Sequence, residues 1–230
     1  MKIKAFILTY NESDIIRFTL NHYMKICSDI FVYDNHSTDD TVKICKSMGI
    51  KVTPFGSDFF DDRYNVHIKN NAWKEHRDAD LIMCIDADEI IYGNFTTHAD
   101  IFKCVGYNMY SEDMPVGSWD EIECGIISDD YSKPAVFNPN TVKEMNYGFG
   151  CHGAKPIING SYIINNKALS LCHMRYIGGV DRMIRRYEMY KGRMSDFNIN
   201  NKFGYQYFND IEKIKQDWNY VKENSKIITR

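Results

Sequence analysis

Leu81-Ile82-Met83-Cys84-Ile85-Asp86-Ala87-Asp88-Glu89 is the stretch on which the fold turns. An unbroken apolar run this short suits a strand covered on both faces better than a helix. It stops abruptly at an acidic cluster, so the expected strand ends in a polar turn. Two carboxylates at spacing i, i+2 leave such a strand end on the same side. Asp86 and Asp88 can therefore share a hard divalent cation, directly or through water, and the cation can in turn hold two phosphate groups.

The same grammar runs upstream. Ile3 to Thr9 is an apolar run rich in strand formers, broken by Tyr10-Asn11-Glu12-Ser13. Ile15, Ile16, Thr19, Leu20, Tyr23 and Met24 recur at helical spacing, with Ser13 or Asn11 as the expected cap. Ile30 to Tyr33 reads as a second buried strand ending at Asp34. The polar turn Asn35 to Asp40 then opens a helix carrying Val42, Ile44 and Cys45, with Ser37 and Asp39 placed to cap it. Gly49 stops that helix before a strand over Ile50 to Val52, and a helix is expected from about Tyr64 to His76.

The alternation β-α-β-α-β-α-β over the first ~90 residues predicts an α/β fold with a mostly parallel sheet flanked by helices. Ligands of such sheets bind beyond the carboxyl ends of the strands. Thr9 to Glu12, Asp34 to Asp40 and Asp86 to Glu89 all fall there and are expected on one rim. Thr9, Asn11 and Glu12 could receive a base or ribose, and the Asp34 carboxylate could accept from a pyrimidine imide or a ribose hydroxyl.

The second half reads as a smaller, mixed part. Strand-like pieces at Lys103 to Tyr110, Ala135 to Phe137 and Leu169 to Met174 are split by Pro and Gly, including the Gly-rich loop Gly148 to Gly153. Helices are expected at about Gly179 to Lys191 and Asn209 to Glu223. We read residues 1–230 as a single domain, with a ligand-binding part to about residue 95 and a second part from about residue 96.

Composition bounds the function classes. The chain has 230 residues, a hydrophobic fraction of 44%, a charged fraction of 26% and net charge −3, which is globular usage with no global field favouring nucleic acid. Its 16 Tyr suit either a Tyr-rich core or aromatic platforms for carbohydrate. The seven cysteines are odd in number, form no CxxC pair and sit in apolar segments, which fits a reducing cytoplasm. No leader and no apolar run of the ~20 residues that span a bilayer are visible, although peripheral membrane contact stays open.

Tyr10-Asn11-Glu12, then Tyr33-Asp34-Asn35-His36-Ser37-Thr38-Asp39, then Ile85-Asp86-Ala87-Asp88-Glu89, resemble the glycosyltransferase family 2 superfamily. The similarity is to its small bacterial- and viral-type branch and covers roughly residues 1 to 95. It implies the GT-A fold, a nucleotide-diphosphate sugar donor, a glycan, glycolipid or glycoprotein acceptor, and Mn²⁺ or Mg²⁺. Carried over by position, Thr9, Asn11, Glu12 and Asp34 would line the nucleotide. Arg63, Lys69 and Asn70 would help to place base, phosphate or sugar. Asp86 would serve the donor, and Asp86 and Asp88 the metal. Many family members carry Asp-Asp in the second motif where this chain has Asp34-Asn35.

The resemblance also implies a late histidine on the metal, which His173 matches, with His152 as a competing candidate or acceptor-site residue. A nitrogen ligand favours Mn²⁺ over Mg²⁺. Arg175, Arg182, Arg185 and Arg186 could supply one group to the diphosphate, with a solvated basic helix face expected for most of them. An inverting transferase needs a carboxylate base. Asp120 or Glu121 is expected in that role, from a pool that includes Asp129 and Asp130, with Trp119 flooring the acceptor. Two alternatives stand beside this reading. A sugar nucleotidyltransferase would need a Gly-rich basic loop after the first strand, which Leu8 to Glu12 lacks; a non-catalytic nucleotide- or carbohydrate-binding relative would not need Asp86 and Asp88.

Overall fold

The structure is a computed structural model and describes residues 1–229. In chain order its elements are β1 (Ile3–Thr9), α1 (Ile16–Tyr23), β2 (Asp29–Asp34), α2 (Thr41–Ser47), β3 (Lys51–Pro54), α3 (Asp62–Asn71), β4 (Leu81–Asp86) and β5 (Glu89–Gly93). There follow β6 (Ile101–Lys103), β7 (Val105–Ser111), β8 (Cys124–Ile127), β9 (Pro134–Phe137), β10 (Val142–Glu144), β11 (Ile157–Ile158), β12 (Ile164–Asn165) and β13 (Leu169–Ile177). The chain closes with α4 (Val180–Gly192), α5 (Asp196–Asn200), α6 (Ile211–Asn224) and β14 (Lys226–Ile227).

A seven-stranded sheet runs in the order β12-β6-β9-β4-β1-β2-β3. Its β3, β2, β1 and β4 are mutually parallel, as the alternation predicts. Strand β1 is buried along its whole length, and its side chains divide by parity, as a pleat requires. Ile3, Ala5 and Ile7 join Leu81, Met83 and Ile85 in one core with Ile16, Leu20 and Cys45 of the first two helices. Phe6 joins Ile82 and Cys84 on the opposite face, against Trp73, Phe137 and Tyr147. Two apolar layers therefore sandwich the sheet, which is why its strands read as continuous apolar runs.

The second half does not stand apart from this sheet. Antiparallel β9 pairs with β4, and β6 and β12 extend that edge. A five-stranded sheet, β14-β8-β7-β13-β5, packs beside it, and α4 and α6 cover that sheet with Met183, Tyr187, Ile214, Trp218 and Val221. The piece expected from Lys103 to Tyr110 is two strands, β6 and β7, separated at Cys104, which serve different sheets.

Local expectations differ at the helix starts. The residue before α1 is Ile15, and no side chain caps it. Ser13 and Asn11 instead bond across to the second motif: the Ser13 N–H donates to Asp39 Oδ2 at 3.1 Å, and Asn11 Oδ1 accepts from the Thr38 N–H at 2.7 Å. Asp39 Oδ1 accepts from the Thr41 N–H at 2.9 Å at the head of α2, whereas Ser37 Oγ accepts from the Asn11 N–H and takes no part in capping. Asn11 has φ +50°, a left-handed backbone that Asn tolerates better than most residues. Among the described residues no helix is long and apolar enough to cross a membrane.

Candidate active site

The acidic motif sits where the chain leaves one sheet for the other. Strand β4 ends at Asp86 and β5 begins at Glu89. Every residue of this turn is tied down through its backbone. The Asp86 N–H donates to Glu89 Oε2 at 3.1 Å, and the Ala87 N–H donates to the Leu8 carbonyl at 2.9 Å. The Ala87 carbonyl accepts from Thr19 Oγ1 at 2.7 Å, the Asp88 carbonyl from the Met174 N–H at 2.8 Å, and the Glu89 carbonyl from the Tyr23 hydroxyl at 2.8 Å. Four elements thus fix the direction in which the Asp86 and Asp88 carboxylates leave the turn.

Both carboxylates open into a cleft of about 770 Å³ beyond the carboxyl ends of β1 and β4. Asp86 accepts from Lys69 Nζ at 2.8 Å, and its side chain keeps 41% of its surface exposed, while Lys69 is 2% exposed. Asp88 lies 3.4 Å from His173 Nε2 and 3.2 Å from Arg186 Nη2. Burial alone would raise the Asp88 carboxyl, but His173, then Arg186 and Arg182, hold it well below the usual carboxylate range. Beneath the turn, Glu89 and Lys133 form an ion pair of 2.5 Å, both essentially without solvent. Burial opposes the Glu89 charge, and Lys133, then Lys69, overcome it and keep its carboxyl below the ordinary value.

His173 Nδ1 lies 3.0 Å from Asn108 Oδ1, and its ring stacks on Tyr131 at 3.8 Å between centroids. With Asn108 Oδ1 as the partner of Nδ1, Nε2 is the ring nitrogen turned to Asp88. Nothing in the spacing of the second half marks Asn108 or Tyr131; only the pairing of β13 with β7 brings Asn108 opposite His173.

Several predicted residues meet in this cleft: Thr9, Glu12, Lys69, Asp86, Asp88, His152 and His173 all line it. Thr9 Oγ1 and Asp34 Oδ1 are buried and have no hydrogen-bond partner among the described residues. The two residues are register partners on β1 and β2. A buried orphan acceptor costs about 1–3 kcal/mol; of the two residues, Thr9 lines the cleft and Asp34 does not. Beside them Arg193 lies 3.4 Å over the Tyr10 ring, and its Nη2 donates to Asn35 Oδ1 at 3.0 Å.

Other predicted residues hold the walls instead of facing the cleft. Asn11 clamps the second motif, as described for its bond to Thr38. Asn70 bonds both ways to the Tyr147 backbone, at 2.8 and 3.2 Å, and so fixes the Gly-rich half against α3. Arg63 pairs with Asp61 and lies 4.3 Å over the Phe197 ring, away from the cleft lining. Glu12, although it lines the cleft, is buried, and its carboxylate receives both terminal nitrogens of Arg186.

Trp119, Asp120 and Glu121 are corrected by the structure. Trp119 is 1% exposed and packs into the main core against Phe18, so it cannot floor an acceptor. Asp120 and Glu121 are exposed on the short turn that Trp119 anchors, and neither lines the cleft. The Glu121 carboxylate is spent on the N–H groups of Val116, Gly117 and Ser118, which close a capping box. Among the mid-chain acids of the expected pool, Asp130 does line the cleft, next to His152 and Tyr131.

The expectation of a solvated arginine face also fails for α4. Arg182 is buried against Asp14, and Arg186 crosses to Glu12 and Asp88. Positions 182, 183, 186, 187 and 190 form one helical face, so the neighbouring Met183 and Tyr187 were the signal that these arginines point inward.

Among the described residues, no group of three or more His, Cys, Asp or Glu side chains is arranged to hold a metal ion. The predicted trio Asp86, Asp88 and His173 is thus not gathered as a three-ligand site: Asp86 faces Lys69, and Asp88 faces His173 and Arg186. Asp86 and Asp88 on a rigid turn, with His173 Nε2 beside them, are the donors this chain offers.

No family model matches the chain. An uncharacterized glycosyltransferase of Rickettsia prowazekii is 34% identical over 99 residues, 42% of this chain and 34% of that protein. One of Rickettsia typhi is 47% identical over 51 residues, 22% of this chain and 18% of that protein. Over those stretches the chain is similar to proteins named as glycosyltransferases. It matches about a third of the length of the Rickettsia prowazekii protein. Among solved structures, S. aureus TarS 1-349 in complex with UDP-GlcNAc has 13% identity and TM-score 0.41, covering 84% of this chain and 66% of that chain. Glucosyl-3-phosphoglycerate synthase from Mycobacterium tuberculosis, in complex with Mn²⁺, UDP and glucosyl-3-phosphoglycerate, has 15% identity and TM-score 0.31, covering 46% and 44%.

Proposed function

We propose that this glycosyltransferase relative moves a sugar from a nucleotide-diphosphate sugar to an acceptor hydroxyl, with inversion at the anomeric carbon. The observation that carries the reading is the rigid Asp86-Ala87-Asp88 turn opening into a cleft at the strand ends, which the orphaned Thr9 hydroxyl also lines. Tyr10, Thr9 and Asn35 form the nucleoside end. Asp86, Asp88 and His173 would hold a divalent cation, Mn²⁺ by preference, and that cation would offset the charge of the departing diphosphate. The free, mostly buried thiols suit the reducing cytoplasm that the cysteine count suggested.

A thermal-shift panel of nucleoside diphosphates and diphospho-sugars, with and without Mn²⁺, tests this reading. A ligand at 100 times its dissociation constant adds about 2.7 kcal/mol of stability. A shift that needs Mn²⁺ is the expected outcome; no shift with any nucleotide removes the donor site.

For the base we assign Asp130 in place of Asp120 or Glu121. It would take the proton of the acceptor hydroxyl as that oxygen bonds to the anomeric carbon and the bond to the diphosphate breaks. Asp130→Asn is expected to lower kcat by about 10²–10⁴-fold while nucleotide affinity stays unchanged. A kcat within tenfold of the parent would return the base to the remaining acids. Proton NMR of the first product reads the anomeric configuration directly.

A further inference from the structure

The cations of the cleft wall are mostly spoken for by carboxylates. Lys69 faces Asp86, Arg186 faces Glu12 and Asp88, and Lys213 faces Asp217 at 2.7 Å. Arg175 is different. It lines the cleft, yet among the described residues its one hydrogen-bond partner is the Tyr187 hydroxyl, and no carboxylate lies within ion-pair distance. Its guanidinium carbon lies 5.1 Å from the Tyr187 ring centroid and 5.7 Å from that of Tyr176. A guanidinium carries several N–H donors in a planar fork, and a single hydroxyl satisfies one of them. The other donors have no protein acceptor and are not sealed from the cleft.

This cation stands on the second half of the chain, on β13. Arg175 follows His173 by two residues on β13, where the pairing with β7 shifts register between His173 and Tyr176, and both residues line the cleft. Tyr176 and Tyr187 lie beside it, and Tyr131, Tyr207 and Asp88 act on its charge; all of these but Asp88 come from the second half of the chain. Thr9, Tyr10 and Asn35 line the same cleft from the first half of the chain. Aromatic walls lower the local dielectric and strengthen attraction for an anion, and the fork matches a phosphate or carboxylate in two-pronged fashion.

We propose that Arg175 is the receptor for an oxyanion on the acceptor, so that the molecule receiving the sugar carries a phosphate or carboxylate group near its reactive hydroxyl. The assignment rests on the transfer reading, which places the donor at Asp86 and Asp88. The donor's own diphosphate is the other source of the same chemistry, and the experiment separates the two.

Sulfate and acetate serve as probes, titrated at constant ionic strength against protein saturated with UDP and Mn²⁺, with melting temperature as the readout. Sulfate is expected to raise the melting temperature beyond the UDP increment. Arg175→Met should weaken sulfate at least tenfold and leave the affinity for UDP within threefold, and Arg175→Lys should restore part of the sulfate effect. An unchanged sulfate increment in Arg175→Met, or none in the parent, overturns the site. A tenfold loss of UDP affinity in Arg175→Met gives the guanidinium to the donor diphosphate and overturns the acceptor assignment. If UDP fails to bind the parent, the transfer reading falls with the acceptor assignment. Sulfate titrated alone against parent and variant then decides whether Arg175 is an oxyanion receptor at all.

Discussion

Asp88→Asn is expected to lower glycosyl transfer by about a hundred- to a thousandfold. The Asp88 carboxylate is the meeting point of the cleft: His173 Nε2 and Arg186 Nη2 both address it, at 3.4 and 3.2 Å. Its backbone carbonyl is held by the Met174 N–H, so an amide in its place would keep its position but lose its charge. Lewis-acid stabilisation of a leaving diphosphate amounts to several kcal/mol, and each 1.36 kcal/mol is tenfold in rate. Loss of one of the two carboxylates that would carry the cation removes much of that. The variant should also lose the dependence of nucleotide affinity on Mn²⁺ while keeping whatever affinity the nucleoside end supplies alone. Transfer within tenfold of the parent, with Mn²⁺ dependence intact, would show that Asp88 has no part in the chemistry.

The parts of this cleft that were legible in the sequence are those built from local signals. A strand buried on both faces must be apolar throughout, so β1 and β4 announced themselves, and the polar break after each marked the rim. What was hidden depends on contacts between distant segments. Trp119 beside Asp120 and Glu121 has the composition of a sugar platform, but its indole lies against Phe18 and Thr19 of α1, and no window around residue 119 contains that fact. Asp130 and Asn108 gain their places only because β7, β8 and β13 form one sheet. The short helix α5 has too few residues for a period to show. Strand β5 was masked because Glu89, an acid that reads as part of the turn, is its first residue and is buried.

That buried acid leads to the second large effect, which is on stability. Lys133→Met is expected to destabilise the protein by about 3–5 kcal/mol, because Glu89 would keep a charge in a site without water. Glu89 is 1% exposed and its partner 2%. Lys69 also acts on Glu89, but it is committed to Asp86 at 2.8 Å and cannot substitute. The double variant Glu89→Gln, Lys133→Met removes both charges and should recover all but about 1–2 kcal/mol, since a neutral pair of similar volume costs little in place of a buried ion pair. Chemical denaturation of the parent, both single variants and the double variant closes this cycle. Additive losses, or a Lys133→Met cost below about 1 kcal/mol, would show that the two side chains do not depend on each other. The cycle bears on the site as well, because Glu89 Oε2 accepts the Asp86 N–H. An ion pair beneath the acidic turn is a poor source of stability compared with apolar packing. Its use here is geometric: Lys133 fixes one oxygen of Glu89, and the other oxygen fixes the backbone from which Asp86 projects. The folded double variant should therefore bind the nucleotide with Mn²⁺ more weakly than the parent while its metal-free nucleotide affinity stays the same.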